Sequence, residues 1–257
     1  MLVKILVAAH KPYEMPGDGC YIPIEVGAAL HKKKMPGFVS DDTGEEISSK
    51  NPGFCELTAL YWGWKNLKAD AVGLVPYRRY FGKKRKLGST AQLQRILTEK
   101  ELQDLMKSYP VLLPKPRHYV IETNYSQYVH AHHKADLQIT REIIKEHCPE
   151  YLPSYDSCMQ RRWGHRFNMC VMRKDLLDSY CSWLFDILFE LEERLDISGY
   201  SANDQRVFGF VSERLIDCWV HKNAVPYREL PVIQMEKQNW PAKIANFLKR
   251  KFWHCHR

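Results

Sequence analysis

Two arginines standing side by side at the end of an apolar run are the first feature of this chain with chemical content. Tyr77-Arg78-Arg79-Tyr80-Phe81 follows almost directly on Ala69-Asp70-Ala71-Val72-Gly73-Leu74-Val75, a segment that reads as a short buried strand. In open α/β sheets ligands bind outside the carboxyl ends of the strands. A guanidinium is always charged and matches phosphate oxygens two at a time. The flanking tyrosines add hydroxyls and ring faces. A second strand, Lys4 to Ala9, ends in His10-Lys11, so another cation and an imidazole reach the same kind of edge. The bland alternatives are a solvated loop running on into Lys83-Lys84-Arg85-Lys86 and an ordinary turn after the first strand.

What is missing narrows the chemistry. Neither G-x-G-x-x-G nor a Walker loop occurs, which disfavours dinucleotide and P-loop sites. No D-x-D follows an apolar strand, and Asp41-Asp42 stands in a turn. No divalent metal is therefore expected, and Arg78 and Arg79 would neutralise a diphosphate themselves. His130, His132, His133 and Asp136 lie on a polar segment, Tyr128 to Lys145, that reads as mostly helical and puts His130 and His133 on one face. A metal site, a hydrogen bond from histidine to phosphate or sugar, and a plain surface helix all fit that spacing. The eight cysteines are scattered without a C-x-x-C pair and read as reduced, buried thiols.

The elements that must position these residues alternate. After the first strand comes a Gly/Pro-rich stretch, then a turn at 41–46 and a helix from about Gly53 to Leu67, with Phe54, Leu57, Leu60, Tyr61 and Trp64 on its buried face. The strand before the arginines follows. Thr98 and Glu101 form a capping box at the start of a helix reaching Met106. Strands are expected at about Tyr109 to Leu113 and Phe167 to Met172, long helices at about Lys174 to Leu195 and Asp204 to His221, and a short strand near Val232. At 257 residues with 45% hydrophobic and 26% charged side chains, the pattern predicts one α/β domain.

Net charge is +8, and its distribution says more than its size. Lys237, Lys243, Lys249, Arg250, Lys251 and Arg257 follow one another without an acidic residue. Ile244, Phe247, Leu248 and Phe252 make an apolar stripe there, flanked by Trp240 and Trp253. That is the composition of a helix lying in an anionic membrane interface; packing on the domain is the plain alternative. No stretch reaches the roughly 18–20 apolar residues of a membrane span. The apolar N-terminus is too short for a secretion signal, so a cytoplasmic protein held on the inner membrane face is expected. The division is 1–236 for the domain and 237–257 for the tail.

Several motifs, in order, carry a resemblance. They are His10-Lys11-Pro12-Tyr13, Tyr21-Ile22-Pro23-Ile24-Glu25-Val26-Gly27-Ala28, Asp42-Thr43-Gly44, Lys50-Asn51, Cys55-Glu56-Leu57-Thr58 and Leu60-Tyr61-Trp62-Gly63-Trp64. Tyr77-Arg78-Arg79-Tyr80-Phe81, Phe167-Asn168-Met169 and Arg206-Val207-Phe208-Gly209-Phe210 continue it. The series resembles the bacterial capsular and exopolysaccharide glycosyltransferases that long stood as a domain of unknown function, although Pro76 stands where such sequences carry a histidine. The resemblance implies a GT-A-like (Rossmann-like) domain with a mixed central sheet flanked by helices. It also implies transfer of a hexose, commonly galactose, from a UDP-sugar to a growing glycan, with an undecaprenyl-diphosphate-linked acceptor in keeping with the basic tail.

Such a transfer stabilises a departing diphosphate and deprotonates an acceptor hydroxyl. The first role falls to Arg78 and Arg79 with His10, Lys11 and His130 or His133. Nucleotide recognition falls to Asp42, Lys50, Asn51 and Tyr77. The base of a single, inverting displacement falls to Asp196 or Asp204, of which Asp204 also reads as a helix cap. A nucleic-acid binder is the competing class, disfavoured because the arginine pair sits at a strand end and not along a groove-facing helix. A non-catalytic scaffold of a polysaccharide assembly complex is another.

Overall fold

The computed structural model describes residues 1–83 and 92–236. Lys84-Arg85-Lys86 and the tail 237–257, with its expected amphipathic helix, lie outside the described residues. In chain order the elements are β1 (Val3–Ala9), β2 (Tyr21–Glu25), β3 (Val39–Ser40), α1 (Asn51–Phe54), α2 (Leu57–Asn66), β4 (Ala71–Pro76) and β5 (Arg79–Phe81). Then come α3 (Glu99–Met106), β6 (Val111–Pro114), β7 (Arg117–His118), α4 (Asn124–Val129), α5 (Lys134–His147), α6 (Leu152–Gln160) and β8 (Trp163–Gly164). The last are β9 (Cys170–Arg173), α7 (Lys174–Arg194), α8 (Val207–Lys222), β10 (Tyr227–Leu230) and β11 (Val232–Gln234).

Seven strands form the central sheet in the order β10-β6-β9-β4-β1-β2-β3. β1 is parallel to β2 and β4, whereas β9 runs antiparallel to both β4 and β6. The sheet is therefore mixed, as expected. Both faces are covered, and the alternation of side chains along each strand divides the core. Leu6, Ala8, Val72 and Leu74 point into the layer built by α1, α2 and α5 to α8. Ile5, Val7, Ala71 and Val75 point into the opposite core with α3 residues Leu102 and Met106. Gly63 of α2 packs so tightly that an added Cβ would stand 2.4 Å from Leu6 Cδ1. The Thr98–Glu101 capping box forms in full at the start of α3.

The carboxyl ends of β1 and β4 and the amino end of β9 share one edge, because β9 runs the other way. There β4 passes through Tyr77-Arg78 into β5, which pairs antiparallel with β11. The amide of Tyr77 donates to Ala8 O at 3.1 Å and that of Met235 to Arg78 O at 2.9 Å. The arginine pair is thus built into backbone structure on both sides and is not a free loop.

Three expected elements break where the site needs them to. The helix foreseen over Gly53 to Leu67 is two helices, separated by Cys55 at φ 54°. The strand foreseen from Phe167 begins at Cys170, because Phe167 (φ 78°) and Asn168 (φ 51°) are left-handed. The helix foreseen over Tyr128 to Lys145 is interrupted between α4 and α5, so His130 caps one helix, His133 precedes the next, and the two share no helix face.

Candidate active site

A cleft of about 820 Å³ opens at this edge of the sheet. β1 and β4 bring Ala8, His10, Pro76, Tyr77 and Arg78 to it, and β5 brings Arg79. The α1–α2 break supplies Asn51, Cys55 and Glu56; Phe167 enters from before β9; Gln205, Arg206 and Glu213 come from the start of α8 and the turn before it. Of the residues expected from sequence, His10, Asn51, Tyr77, Arg78 and Arg79 meet here.

The Tyr77 ring is the hub of one wall. It is 3% exposed, and the rings of His10 and Tyr13 meet it edge-on at 5.3 and 4.9 Å. Arg78 Cζ lies 4.8 Å from its centroid and Lys11 Nζ 5.8 Å. The Tyr77 hydroxyl is buried with no hydrogen-bond partner among the described residues. Partial burial, then the nearby Arg78 and Lys11, pushes the His10 imidazole below its usual value, so His10 is neutral at pH 7 and offers one donor and one acceptor.

The two arginines differ. Arg78 is 43% exposed and pairs with Glu236 at 3.2 Å. Arg79 is half-buried, lays its guanidinium 4.3 Å from the Phe167 ring centroid, and keeps a buried Nε without a partner among the described residues. Burial lowers its pKa, and the carboxylates of Glu213 and Glu56 oppose the shift. Arg78 thus has a carboxylate partner, whereas Arg79 Nε has none among the described residues.

Two carboxylates face this cation from the helical side, and both pin strained backbone. Glu213 Oε1 accepts from Phe167 N at 2.9 Å, and Glu56 Oε1 accepts from Asn168 Nδ2 at 2.9 Å. Cys55, Phe167 and Asn168, all non-glycine and left-handed, adjoin or line the cleft. Such conformations cost on the order of 1–3 kcal/mol each and persist where surrounding structure holds them, typically at functional sites. Arg206 Nε donates to Cys55 Sγ at 3.2 Å, and burial pushes the Cys55 thiol up to about 11. That thiol stays protonated and is no nucleophile at pH 7.

The remaining expected residues lie elsewhere. Asp196 accepts from Ser198 N at 2.9 Å in an exposed turn. Asp204 accepts from Ser201 Oγ at 2.7 Å and is 3.1 Å from His132 Nδ1; its turn carries Gln205 and Arg206 into the cleft, but Asp204 itself does not line it. His130 pairs with Glu122, and His133 stacks on Tyr200 at 3.8 Å. Asp42 pairs with Lys34, and Lys50 with Glu192 at 2.7 Å. Asn51 lines the cleft, though its amide donates to Cys55 O at 2.7 Å and so holds the helix break. Its neighbour in role is Asp41, fully buried and accepting from Gly27 N, Ala28 N and Thr58 Oγ1 at 2.9, 3.0 and 2.6 Å.

Among the described residues no group of three or more His, Cys, Asp or Glu is placed to hold a metal ion. Nor is any helix among them long and apolar enough to cross a membrane.

The solved apo structure of WbbM, a bifunctional glycosyltransferase, matches with a TM-score of 0.84 and 31% sequence identity. The match covers 92% of this chain and 46% of that one, so this chain spans about half of that relative's length. The GT-A-like architecture expected from the sequence is therefore the observed one. No curated protein sequence matches. The profile of a family described as a domain of unknown function, DUF4422, matches residues 4–224, a span that runs from within β1 to beyond α8 and holds the arginine pair and both cleft carboxylates, and the chain belongs to that family.

Proposed function

We propose that the protein is a glycosyltransferase that moves a hexose, galactose foremost, from a UDP-sugar to a growing surface glycan in a single inverting displacement. The observation that carries this reading is the Arg79 guanidinium, on the cleft wall at a strand end, with a buried Nε that has no partner among the described residues. Likeness to a solved bifunctional glycosyltransferase supports it. Arg79 and Arg78 hold the diphosphate, the latter by exchanging Glu236 for phosphate, while His10 and Lys11 border the same oxygens. The nucleoside lies against Tyr77 and Asn51. Arginines then do the charge neutralisation that a divalent ion does elsewhere, and no metal is needed.

The test is thermal unfolding with UDP and a panel of UDP-hexoses. At a ligand concentration of about 100 times Kd, stabilisation is about 2.7 kcal/mol, or roughly 5–10 °C for a chain of this size. EDTA should leave the shift and UDP release unchanged. Activity lost to EDTA and restored by manganese would overturn the metal-free version, and salt-dependent DNA binding without UDP affinity would overturn the enzyme reading altogether.

The acceptor in this reading is a glycan on an undecaprenyl-diphosphate carrier, met at the cytoplasmic membrane face through the basic tail 237–257. Anionic lipid contributes about 1 kcal/mol per basic residue near its surface, enough for reversible attachment by the tail's six basic residues. The full chain should sediment with anionic and not with neutral vesicles, and a chain ending at Glu236 should stay in solution. Equal behaviour of the two chains would refute membrane attachment by the tail.

A further inference from the structure

We propose that Glu56 is the general base that deprotonates the acceptor hydroxyl, with Glu213 a positioning residue. The proposal rests on the glycosyltransferase reading and adds to it the residue that performs the proton transfer.

Transfer needs a carboxylate in the same cleft as the cation that takes the leaving charge. Among the described residues lining this cleft there are two, Glu56 and Glu213. Their hydrogen bonding separates them. Glu213 is committed at both oxygens, Oε1 to Phe167 N at 2.9 Å and Oε2 to Arg214 Nη1 at 3.2 Å. It holds the left-handed pair, and with it the Phe167 ring on which Arg79 lies. Glu56 has a single side-chain partner among the described residues, Asn168 Nδ2 on Oε1. That partner is itself fixed, since the same Nδ2 reaches Gly209 O at 3.1 Å and Ser212 Oγ donates to Asn168 Oδ1. One oxygen of Glu56 is thus clamped to a rigid amide; the carboxylate also accepts from the amide of Glu56 itself, and among the described residues no second side chain competes with a substrate hydroxyl for Oε2.

The environment suits the task. Burial raises the Glu56 carboxyl above the usual carboxylate range against the hydrogen bonds from its own amide and Asn168, and the repulsion of Glu213 adds to the rise. A base raised toward the working pH is a stronger acceptor while still ionised there. The helix break matters as well. Were Gly53 to Leu67 one continuous helix, residue 56 would lie on its second turn; the left-handed Cys55 instead ends α1 and starts α2 after Glu56.

The step balances. The acceptor O–H gives its proton to Glu56 Oε2, the acceptor oxygen forms its bond to the anomeric carbon, and the bond from that carbon to the β-phosphate oxygen breaks. The electron pair leaves with UDP, whose added charge is met by Arg79 and Arg78.

Glu56→Gln keeps size and the bond from Asn168, and so tests the proton alone. UDP release is measured from a panel of UDP-hexoses with water or octyl hexosides as acceptor, beside UDP affinity by calorimetry. Glu56→Gln should bind UDP within about threefold of wild type yet lose 10²–10⁴-fold in UDP release, the usual contribution of a general base. Wild-type release should rise with pH through the raised carboxyl value and then level. Glu213→Gln, although slower, should keep that acidic limb. If Glu56→Gln releases UDP like wild type, or loses UDP affinity in step with rate, the base assignment falls and the enzyme reading stands. If wild type neither binds nor turns over any UDP-hexose, both fall.

Discussion

Replacing Arg79 by alanine is expected to weaken UDP binding by 100-fold or more while changing the stability of the fold little. Charge-assisted hydrogen bonds to a diphosphate contribute roughly 1.5–3 kcal/mol each, and about 1.4 kcal/mol is tenfold in affinity. A bidentate guanidinium therefore accounts for two decades or more. In the free protein the same group has a buried Nε without a partner among the described residues, and its burial disfavours the charge it must carry. Removing it relieves that cost and gives up its stacking on Phe167 and its attraction to Glu213 and Glu56, so the two effects oppose each other. Arg78→Ala should cost less, about tenfold, because Arg78 is more exposed and must first release Glu236. Arg79→Lys separates charge from geometry: it keeps the charge but loses the planar fork, and should recover no more than about a tenth of the wild-type affinity. Calorimetry on the folded variants decides the matter, and wild-type affinity in Arg79→Ala would end the assignment.

Such a change is tolerated because the site is locally poor structure. A raised carboxyl, an under-satisfied guanidinium and three left-handed non-glycine residues are gathered in or beside one cleft, and a chain keeps such features where function requires them.

How far the sequence discloses this site depends on whether the cause is local. Strand ends are local: an apolar run followed by His10-Lys11 or by Tyr77-Arg78-Arg79 shows both where the strand stops and what it carries there, and each of these residues except Lys11 lines the cleft. The Thr98–Glu101 box is also local, and forms as read. The helix breaks are not. Around Cys55 the apolar spacing continues unbroken, and the left-handed turn is held not only by Asn51, four residues before it, but also by Arg206, which is 151 residues away. Glu56 therefore looks like a solvated position on a continuous helix. Only Pro52-Gly53, poor residues for a helix interior, hinted at a boundary there.

The acidic candidates lie outside the cleft for a similar reason. Asp42 and Asp41 are adjacent and alike in sequence, yet Asp41 is buried under two backbone amides, with the hydroxyls of Ser48 and Thr58 donating to it, while Asp42 faces Lys34 at the surface. Asp196 and Asp204 read as cleft residues because a turn separates two long helices. The turn does reach the cleft, but it delivers Gln205 and Arg206 and spends Asp204 on Ser201 and His132.

The largest loss of stability is expected from a residue that sequence reading passed over, Arg166. It is 4% exposed. Nε donates to Tyr119 Oη at 3.0 Å, Nη1 to His165 O and Glu213 O at 2.7 and 3.0 Å, and Nη2 to Asn124 Oδ1. Asp217, itself buried, stands 3.9 Å away and also takes the His165 amide at 3.0 Å. The guanidinium so fills its site that a Cβ on Gly164 would come within 2.5 Å of Nη1. Arg166→Leu would leave four acceptors without their donor and would take the nearby positive charge from buried Asp217, which among the described residues keeps only its bonds to His165. Breaking a buried charged pair in this way costs about 3–5 kcal/mol, roughly 6–20 °C in Tm for a domain of this size. Arg166 also immediately precedes the left-handed Phe167, and its Nη1 binds the backbone of Glu213, so the segment that carries Phe167 loses its anchor on both sides. UDP affinity, measured well below the lowered transition, should accordingly fall in Arg166→Leu although Arg166 does not line the cleft. Urea unfolding at 25 °C provides the check: a midpoint equal to wild type would show that Tyr119, Asn124 and Asp217 find other partners, and the proposed anchoring of Phe167 through Arg166 would be wrong.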